Sequence, residues 1–414
     1  MAEKGNLRGR PRRALVIGGS MSGLFAALLL RQQGFEVDVY ERVEGELAGR
    51  GAGIVAQPEV RDVFKRLVIN PGQSLGVETQ KRRTFDRDGR LIGEADCRQI
   101  LTAWERVYRL LRDAFAPERY HRGMKLDRIE QDDRGVTAHF ADGTREQADL
   151  LIGADGVRST VRMQYLPALL PLYAGYVAWR AMVDEATVSP ATREDIFDYM
   201  AFTLPPGEQM LGYPVAGAND DLRRGHRRYN LVWYRPANEA AKLPWMLTDA
   251  SGHTHDGSIP PPLIRPEVIA EMREAAARLL PPQLQEVMLL PPQPFLQPIY
   301  DLETPRMAFG RVAIVGDAAF VARPHVGAGV AKAAGDSVAL VDALAAEPDV
   351  PSALKRFEQE RLGVGSRIVR RARQLGAYIQ AERATPEERA YADRHFSPQA
   401  VMAETALMDF LYQR

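Results

Sequence analysis

The 414-residue sequence contains one cysteine, Cys97, and no excess of charge of either sign. A single cysteine excludes an internal disulfide, and no Cys/His spacing indicates a structural zinc site. The 54 basic residues balance 54 acidic residues, so no net field would gather nucleic acid or anionic lipid. No apolar run approaches the ~20 residues that cross a bilayer, and no secretory signal precedes Ala14. We therefore expect a soluble, cytoplasmic protein without nucleic-acid, membrane or metal partners.

Signals for nucleophilic and metal-assisted catalysis are also missing. The sequence has no G-x-S-x-G elbow, and Cys97 has no obvious base nearby in the chain. His253 and His255 stand in a loop without acidic or cysteine ligands beside them, which is typical of solvated histidines. Hydrophobic residues make up 45% and charged residues 26%, as in ordinary globular proteins. At this length we expect more than one hydrophobic core.

The first residues with regular patterning predict a strand, a helix and a second strand. Ala14 to Gly18 is an apolar β-prone run, Met21 to Gln33 is rich in Leu and Ala, and Phe35 to Glu41 alternates apolar and polar residues. Such a unit pairs its strands in parallel through a right-handed crossover. Two later runs, Leu150 to Gly153 and Val312 to Gly316, also end in glycine beside an acid. We expect all these strands in one sheet.

The middle of the chain follows a different pattern. From Tyr173 to Pro236, β-prone runs separated by turns predict a second, mostly antiparallel sheet. Lys242 to Pro266 is rich in turn-forming residues and predicts a long loop. Helical spacing returns at Pro266 to Leu280 and again after Gly316. The fold class is therefore α/β: a Rossmann-like nucleotide-binding domain, an interleaved antiparallel sheet, and C-terminal helices. The expected divisions are 1–172 and 300–346 for the nucleotide-binding domain, 173–299 for the substrate domain, and 347–414 for a helical region.

The turn GGSMSG after the first strand partly matches the dinucleotide pattern G-x-G-x-x-G. Gly18 and Gly23 occupy the first and third required positions, and Ser20 replaces the second glycine. A small residue at Ser20 still lets the backbone approach a pyrophosphate at the N-terminus of the next helix. Glu41 ends the second strand, where an acid accepts hydrogen bonds from an adenosine ribose, and Arg42 beside it is a candidate contact. This turn alone leaves NAD and FAD open.

Two later runs resemble motifs of a known family. LIGADGVRSTVR at 151–162 and GRVAIVGDAAFVARPHVGAGVAKAAGD at 310–336 are similar to the second and third fingerprints of the single-component (class A) FAD-dependent aromatic hydroxylases, the p-hydroxybenzoate hydroxylase family. With GGSMSG they occur in that family's order over nearly the whole chain. The resemblance implies FAD as cofactor, NADH or NADPH as co-substrate, O2 and a small aromatic substrate as partners, and a homodimer as the usual assembly.

The resemblance also assigns residues to the flavin. Asp317 matches the acid that binds the ribityl chain, Pro324 lies beside the ring, and Gly327 and Gly329 open a helix whose amides face the N1 and O2 edge. The remaining matches are Asp155 and Gly156, the DG pair shared by flavin and nicotinamide nucleotide; Arg158, a candidate phosphate contact; and Gly53 in the loop Gly51–Ile54 beside the ring. Phe320 and Ala331 depart from the family, as does Trp104 where relatives have Arg. Arg106 or Arg109 would then substitute as a cofactor contact.

The runs YAGYVAWR and RPHVGAGVAKA are similar to those of the dihydroxypyridine hydroxylases within this family. The implied reaction is hydroxylation of an electron-rich, hydroxylated pyridine ring through a flavin C4a-hydroperoxide. His325, next to Pro324, is the candidate base because imidazole titrates near neutral pH. The candidates for substrate contact are Gln57, Arg180, Tyr213, Trp233 and Tyr234.

Other activities remain open at the level of sequence. A hydroxybenzoate or urate could be the substrate, since urate hydroxylases share the YAGYV run. A flavin reductase or dehydrogenase of the same fold would never form the hydroperoxide, and a non-catalytic FAD-bound regulator would not turn over at all.

Overall fold

The computed structural model describes residues 12–47, 53–379 and 385–412. In these ranges the strands are β1 (Arg13–Ile17), β2 (Glu36–Glu41), β3 (Gly53–Val55), β4 (Val77–Phe85), β5 (Leu91–Ala103), β6 (Tyr120–Arg122), β7 (Leu126–Gln131), β8 (Val136–Phe140), β9 (Arg145–Ala148), β10 (Leu150–Gly153), β11 (Leu172–Asp184), β12 (Tyr199–Thr203), β13 (Gln209–Val215), β14 (Arg228–Pro236), β15 (Phe295–Glu303), β16 (Ala308–Phe309), β17 (Val312–Ile314) and β18 (Phe320–Val321).

The α-helices of the same ranges are α1 (Met21–Gln32), α2 (Pro58–Arg66), α3 (Trp104–Ala114), α4 (Thr160–Tyr165), α5 (Pro190–Ile196), α6 (Lys242–Leu247), α7 (Pro266–Leu279), α8 (Pro282–Leu289), α9 (Gly329–Ala346), α10 (Val350–Gly376), α11 (Pro386–His395) and α12 (Pro398–Glu404). The segment Lys242 to Pro266, expected as a long loop, includes the short helix α6. Each of these helices is too short or too polar to span a bilayer.

A six-stranded sheet carries the first predicted motif. Its order is β16-β17-β10-β1-β2-β6, and all neighbours pair in parallel except β16 with β17. Apart from Arg13, the central strands β10 and β1 are apolar, because helices cover the sheet. Helix α1, with nine buried residues, packs against α9 and α3. The sequence prediction of one parallel sheet built from distant segments is confirmed.

A nine-stranded sheet forms the second layer, in the order β18-β15-β11-β14-β13-β12-β4-β5-β3. Neighbours pair antiparallel except β12 with β4, so the expectation of a mostly antiparallel sheet is confirmed. Strands β3, β4 and β5 come from the range assigned to the nucleotide-binding domain. The division at 172/173 therefore does not coincide with the division between the sheets, because β4 and β12 join across it.

The two faces of this second sheet have different partners. Trp179 and Trp233 are paired across β11 and β14 and pack with α7 and α8 in one hydrophobic cluster. Tyr176, Tyr213 and Tyr234 lie in another cluster with residues of the C-terminal segment. Neighbouring residues of a strand point to opposite faces, so the sheet separates a structural core from the face turned toward the parallel sheet's loops and the C-terminus.

Candidate functional site

Three loops meet at the carboxyl ends of adjacent parallel strands. β1, β10 and β17 are neighbours, and the loops after them begin at Gly18, Ala154 and Val315. The Ala154 amide donates to the Ile17 carbonyl at 2.7 Å, and the Val315 amide donates to the Gly153 carbonyl at 2.9 Å. Ligands of parallel sheets bind at such strand ends. The predicted convergence of the three motifs is therefore present in the structure.

The first glycine turn has the geometry of a pyrophosphate-binding turn. Gly18 has φ +107°, and a Cβ there would overlap the Ala154 carbonyl. A Cβ on Gly23 would overlap the Gly18 carbonyl, so this glycine permits close packing of α1 on the turn. Ser20 is the N-cap of α1, and its side chain makes no capping hydrogen bond. The amides of the first helical turn therefore remain suited to an anion.

A cavity of about 250 Å³ opens beside this turn. Its lining includes six of the predicted cofactor residues: Gly18, Ser20, Glu41, Arg42, Asp155 and Gly156. The Glu41 carboxylate accepts hydrogen bonds from the Gly19 and Val43 amides, each at 2.9 Å, which holds it at the end of β2. Carboxylate oxygens have further lone pairs, so Glu41 can still accept ribose hydroxyls.

Asp155 contributes an unpaired acceptor to the same cavity. Its Oδ2 accepts from the Thr160 amide at 2.7 Å, whereas Oδ1 is buried without a partner in the described part of the chain. Burial raises the pKa of Asp155, and hydrogen bonds from Ser159 and from the amides of the following turn oppose that shift. A Cβ on Gly156 would meet open space. An orphan acceptor beside an open backbone fits a nucleotide hydroxyl or amide donor.

The third loop provides the other end of the cofactor site. The Asp317 side chain is half exposed and accepts from the buried Lys332 ammonium at 3.3 Å. Gly327 adopts the left-handed conformation with φ +63°, and a Cβ on Gly329, the first residue of α9, would meet open space. Pro324 begins the 3-10 turn Pro324–Val326 and is half-buried. An exposed acid beside an open helix N-terminus fits the ribityl chain and the pyrimidine edge of a flavin.

Arg106 does not face this cavity, in contrast to the sequence expectation. Its guanidinium donates to the carbonyls of Pro71, Ser74 and Leu75 and forms an ion pair with Asp220 at 3.0 Å. All of its nitrogens are thereby used to hold a neighbouring loop. Arg109 is partly exposed and pairs with the same Asp220. Trp104, at the position where relatives have arginine, lines the cavity. Arg158 lines it too, near the pair Asp155–Gly156.

Part of the predicted substrate group lies together on the second sheet. We call Arg180, Gln209, Tyr213, Asn230 and Tyr234 the substrate face, because strand alternation directs these side chains to the side of the sheet on which Gly53 and His325 lie. Arg180 donates to Gln297 at 2.7 Å, while its Nε and the Asn230 Nδ2 are buried without partners in the ranges described. Burial raises the pKa of Tyr213 to about 12, with Arg180 opposing the shift.

Gly53, predicted to lie beside the flavin ring, contacts the substrate face directly. The Gly53 amide donates to Asn230 Oδ1 at 2.9 Å, and a Cβ on Gly53 would overlap the Tyr213 ring. Only glycine allows this approach. Gly51 and Ala52, expected in the same loop, lie outside the described residues.

Two predicted substrate contacts are placed elsewhere. Trp233 is fully buried on the opposite face of the sheet, packed against the helices, because its strand neighbour Tyr234 takes the substrate face. Gln57 is buried, and its Nε2 donates to the Ala406 carbonyl at 3.0 Å. That amide therefore binds the C-terminal segment.

His325 adjoins the substrate face but differs from the expected base. Its Nδ1 lies 3.0 Å from Gln209 Oε1, and its Nε2 lies 2.8 Å from the Tyr176 hydroxyl. Burial, reinforced by the Arg323 charge, lowers the pKa of His325 to about 3. The ring is therefore neutral at physiological pH. With the proton on Nδ1, it donates to Gln209 and accepts from Tyr176, and it packs 4.2 Å from the Tyr234 ring, centroid to centroid.

Sequence reasoning missed Gln209, Asn230 and Tyr176, and it named Trp104 only as a departure from the family pattern. The alternation of the strand YNLVWYRP would have put Asn230 on the same side as Tyr234. Nothing in the sequence indicates that Gln209 and Tyr176 share one histidine, because 149 positions separate Tyr176 from His325.

Comparison with known proteins identifies the relatives of this chain. A family model described as an NAD(P)-binding Rossmann-like domain matches residues 16–67, and one described as FAD binding domain-like matches residues 173–301. The 2,6-dihydroxypyridine 3-monooxygenase of Paenarthrobacter nicotinovorans is 32% identical over 89% of this chain and 91% of its own. The 3-amino-4-hydroxybenzoate 2-monooxygenase of Streptomyces cremeus is 30% identical, covering 88% of this chain and 87% of its own.

The same similarity appears in three dimensions. The solved 2,6-dihydroxypyridine-3-hydroxylase from Arthrobacter nicotinovorans superposes with a TM-score of 0.84 at 31% identity, covering 92% of this chain and 96% of the solved one.

Proposed function

Because this chain belongs to the FAD-dependent aromatic hydroxylases, we propose that it hydroxylates a hydroxylated pyridine ring with NAD(P)H and O2. The observation that carries the proposal is the set of unpaired donors on the substrate face, which a ring with acceptor atoms would satisfy. Arg180 Nε and Asn230 Nδ2 are buried without partners in the described part of the chain, and an unpaired buried donor costs about 1–3 kcal/mol. A hydroxypyridine, with ring nitrogen and oxygen acceptors, would satisfy both. Among acceptor-bearing rings, the similarity to 2,6-dihydroxypyridine 3-monooxygenase supports the choice of a hydroxypyridine.

The residues that would hold FAD are those of the three loops. The Gly18 turn and the N-terminus of α1 would bind the pyrophosphate, and Glu41 the ribose. Asp155 and Asp317 would accept hydroxyls, and the open start of α9 would face the ring. Bound FAD supplies hydride acceptance from NAD(P)H and activation of O2.

The substrate face would bind the ring and prepare it for attack. Hydroxylation needs an electron-rich ring, and a deprotonated hydroxyl donates electrons best. The Arg180 cation already opposes the rise in the Tyr213 pKa, so it would also favour the oxyanion of a bound ring hydroxyl. Tyr213 stays protonated and can donate to that oxyanion. Arg180 would therefore stabilise the deprotonated form of the bound substrate electrostatically.

The proposed role of His325 is to position its neighbours. A group with a pKa near 3 is a poor base at neutral pH, since general bases work best with pKa values near the working pH. As a neutral acceptor for Tyr176 and a donor to Gln209, the ring would fix the surface on which Tyr234 packs.

A substrate panel with isotope-labelled O2 tests the proposal. Purified protein loaded with FAD is given hydroxypyridines, hydroxybenzoates or urate, and NADH or NADPH consumption is followed together with product mass. We expect a hydroxypyridine to stimulate consumption most strongly and to gain one labelled oxygen atom. Stimulation by hydroxybenzoate or urate alone would replace the pyridine assignment. Consumption without labelled product would indicate a reductase or dehydrogenase, and protein that takes up no FAD would overturn the whole proposal.

A further inference from the structure

Ala406 has a backbone conformation that alanine rarely adopts. Its φ is +56°, in the left-handed region, which is less stable by roughly 1–2 kcal/mol for a residue with a Cβ. Such a conformation persists when the surrounding contacts determine it, and these residues cluster at functional sites. The contacts of Ala406 therefore require a physical explanation.

Those contacts join three separate elements at one peptide. The Ala406 amide donates to the His325 carbonyl at 2.7 Å. Its carbonyl accepts from Gln57 Nε2 and from Gln99 Nε2, each at 3.0 Å. His325 belongs to the turn Pro324–Gly327, called here the flavin turn because the sequence predicts it beside the flavin ring. Gln57 is the N-cap of α2, and Gln99 lies on β5. Both glutamines are less than a tenth exposed, so water is a poor substitute for the carbonyl.

A second anchor lies one helical turn earlier. Arg82 on β4 is fully buried and donates to the Met402 carbonyl and, at 2.6 Å, to Gln99 Oε1. The Gln99 side chain thus accepts from Arg82 and donates to Ala406. This chain of bonds fixes the segment Pro398–Met408, called here the C-terminal strap, against the edge of the second sheet.

The strap covers the side of the sheet that carries the substrate face. Val401, Met402 and Ala406 belong to the same buried cluster as Tyr213 and Tyr234. A Cβ on Gly327 would press on Ala406, so the strap also abuts the flavin turn. The strap therefore borders the predicted positions of both the flavin ring and the substrate.

We propose that the C-terminal strap, held through Ala406 by Gln57 and Gln99, is the outer wall of the substrate chamber and limits which rings it accepts. This inference rests on the proposed function. Gln57 and Gln99 are then positioning residues, because they act through Ala406. A closed wall also excludes water, whose entry favours the unproductive reaction in which NAD(P)H, a proton and O2 give NAD(P)+ and H2O2.

The test compares the double variant Gln57→Leu/Gln99→Leu with the wild type and with Gln80→Leu. Gln80 is exposed on β4, and its side chain bonds Glu78 and no other residue in the described ranges, so its replacement controls for a Gln-to-Leu change on the same sheet. In FAD-loaded protein without substrate, amide hydrogen exchange of residues 401–408 should become about tenfold faster in the double variant. With the best pyridine from the panel, KM should rise more than kcat falls, and H2O2 per NAD(P)H consumed should increase. The double variant should also accept two-ring substrates relatively better.

The outcomes separate the strap from the proposed function. A wild type that hydroxylates no panel compound contradicts the proposed function, while the exchange measurement still decides whether the glutamines anchor the strap. If the wild type is active and exchange in the double variant is unchanged, Gln57 and Gln99 do not anchor the strap. If exchange is faster but KM, ring preference and H2O2 yield are unchanged, the strap is not the outer wall of the substrate chamber. Loss of FAD by the double variant alone would assign the glutamines to the cofactor site instead.

Discussion

At the residue scale, His325 illustrates how burial changes the chemistry that a residue type suggests. An exposed imidazole titrates near pH 6.5, within the range useful for a base. Here both ring nitrogens are engaged and the pKa falls to about 3. The residue best suited by type to accept a proton is therefore a neutral hydrogen-bonding link.

The difference between the pKa of His325 in the folded chain and in the unfolded chain predicts that stability depends on pH. Between pH 3 and 6.5 the unfolded chain binds a proton at His325 that the folded chain does not bind, so the free energy of unfolding decreases as pH falls. At pH 5 the loss from this group amounts to about 2 kcal/mol. Urea unfolding at pH 7.5 and 5 should show a smaller acid-induced loss for His325→Gln than for the wild type. We expect the variant to retain FAD and to hydroxylate more slowly. An equal loss in both proteins would contradict the buried neutral state.

At the element scale, the packing of α1 on the glycine turn decides whether the pyrophosphate site exists. The helix is apolar on nearly every side because the sheet, α9 and α3 enclose it. Gly23 lets its first turn approach the Gly18 carbonyl.

Gly23→Ala should therefore lower stability and abolish FAD binding together. The added methyl overlaps backbone that cannot move independently of β1, and overpacking of this kind costs about 1–3 kcal/mol. Thermal unfolding and FAD fluorescence titration measure the two effects. Gly363→Ala is the matched control: Gly363 is exposed on α10 with open space around its Cα, so alanine should stabilise that helix by up to about 1 kcal/mol. Normal FAD affinity in Gly23→Ala would refute the assigned role of the turn.

At the scale of the whole molecule, Arg162 connects loops that are distant in sequence. Its buried guanidinium donates to the Val157 carbonyl at 2.6 Å and to the Ala318 carbonyl at 3.0 Å. It thereby joins the loop of Asp155 to that of Asp317. One side chain thus sets the spacing between two predicted flavin contacts.

We expect Arg162→Met to weaken FAD binding without removing any direct contact to FAD. A ligand raises stability by RT ln(1 + [L]/Kd), so FAD should raise the melting temperature of the variant less than that of the wild type at equal concentration. Arg145→Met, at an exposed position on β9, controls for loss of a surface charge. An FAD-dependent rise equal to that of the wild type would show that the two loops keep their spacing without Arg162.

Local sequence patterns predict the parallel sheet, and the resemblance of three motifs to a known family predicts the cofactor. Glycine spacing and apolar strand runs are local signals, and GGSMSG, LIGADGVRSTVR and GDAAFVARP carry them in consecutive residues. Which side chains share the substrate face, and which partners they have there, depends on the folded chain. Trp233 and Tyr234 are adjacent in sequence yet lie on opposite faces, and Gln57 meets Ala406 from 349 positions away. Burial, pKa and hydrogen-bond partners depend on neighbours brought together by folding, so no local pattern specifies them.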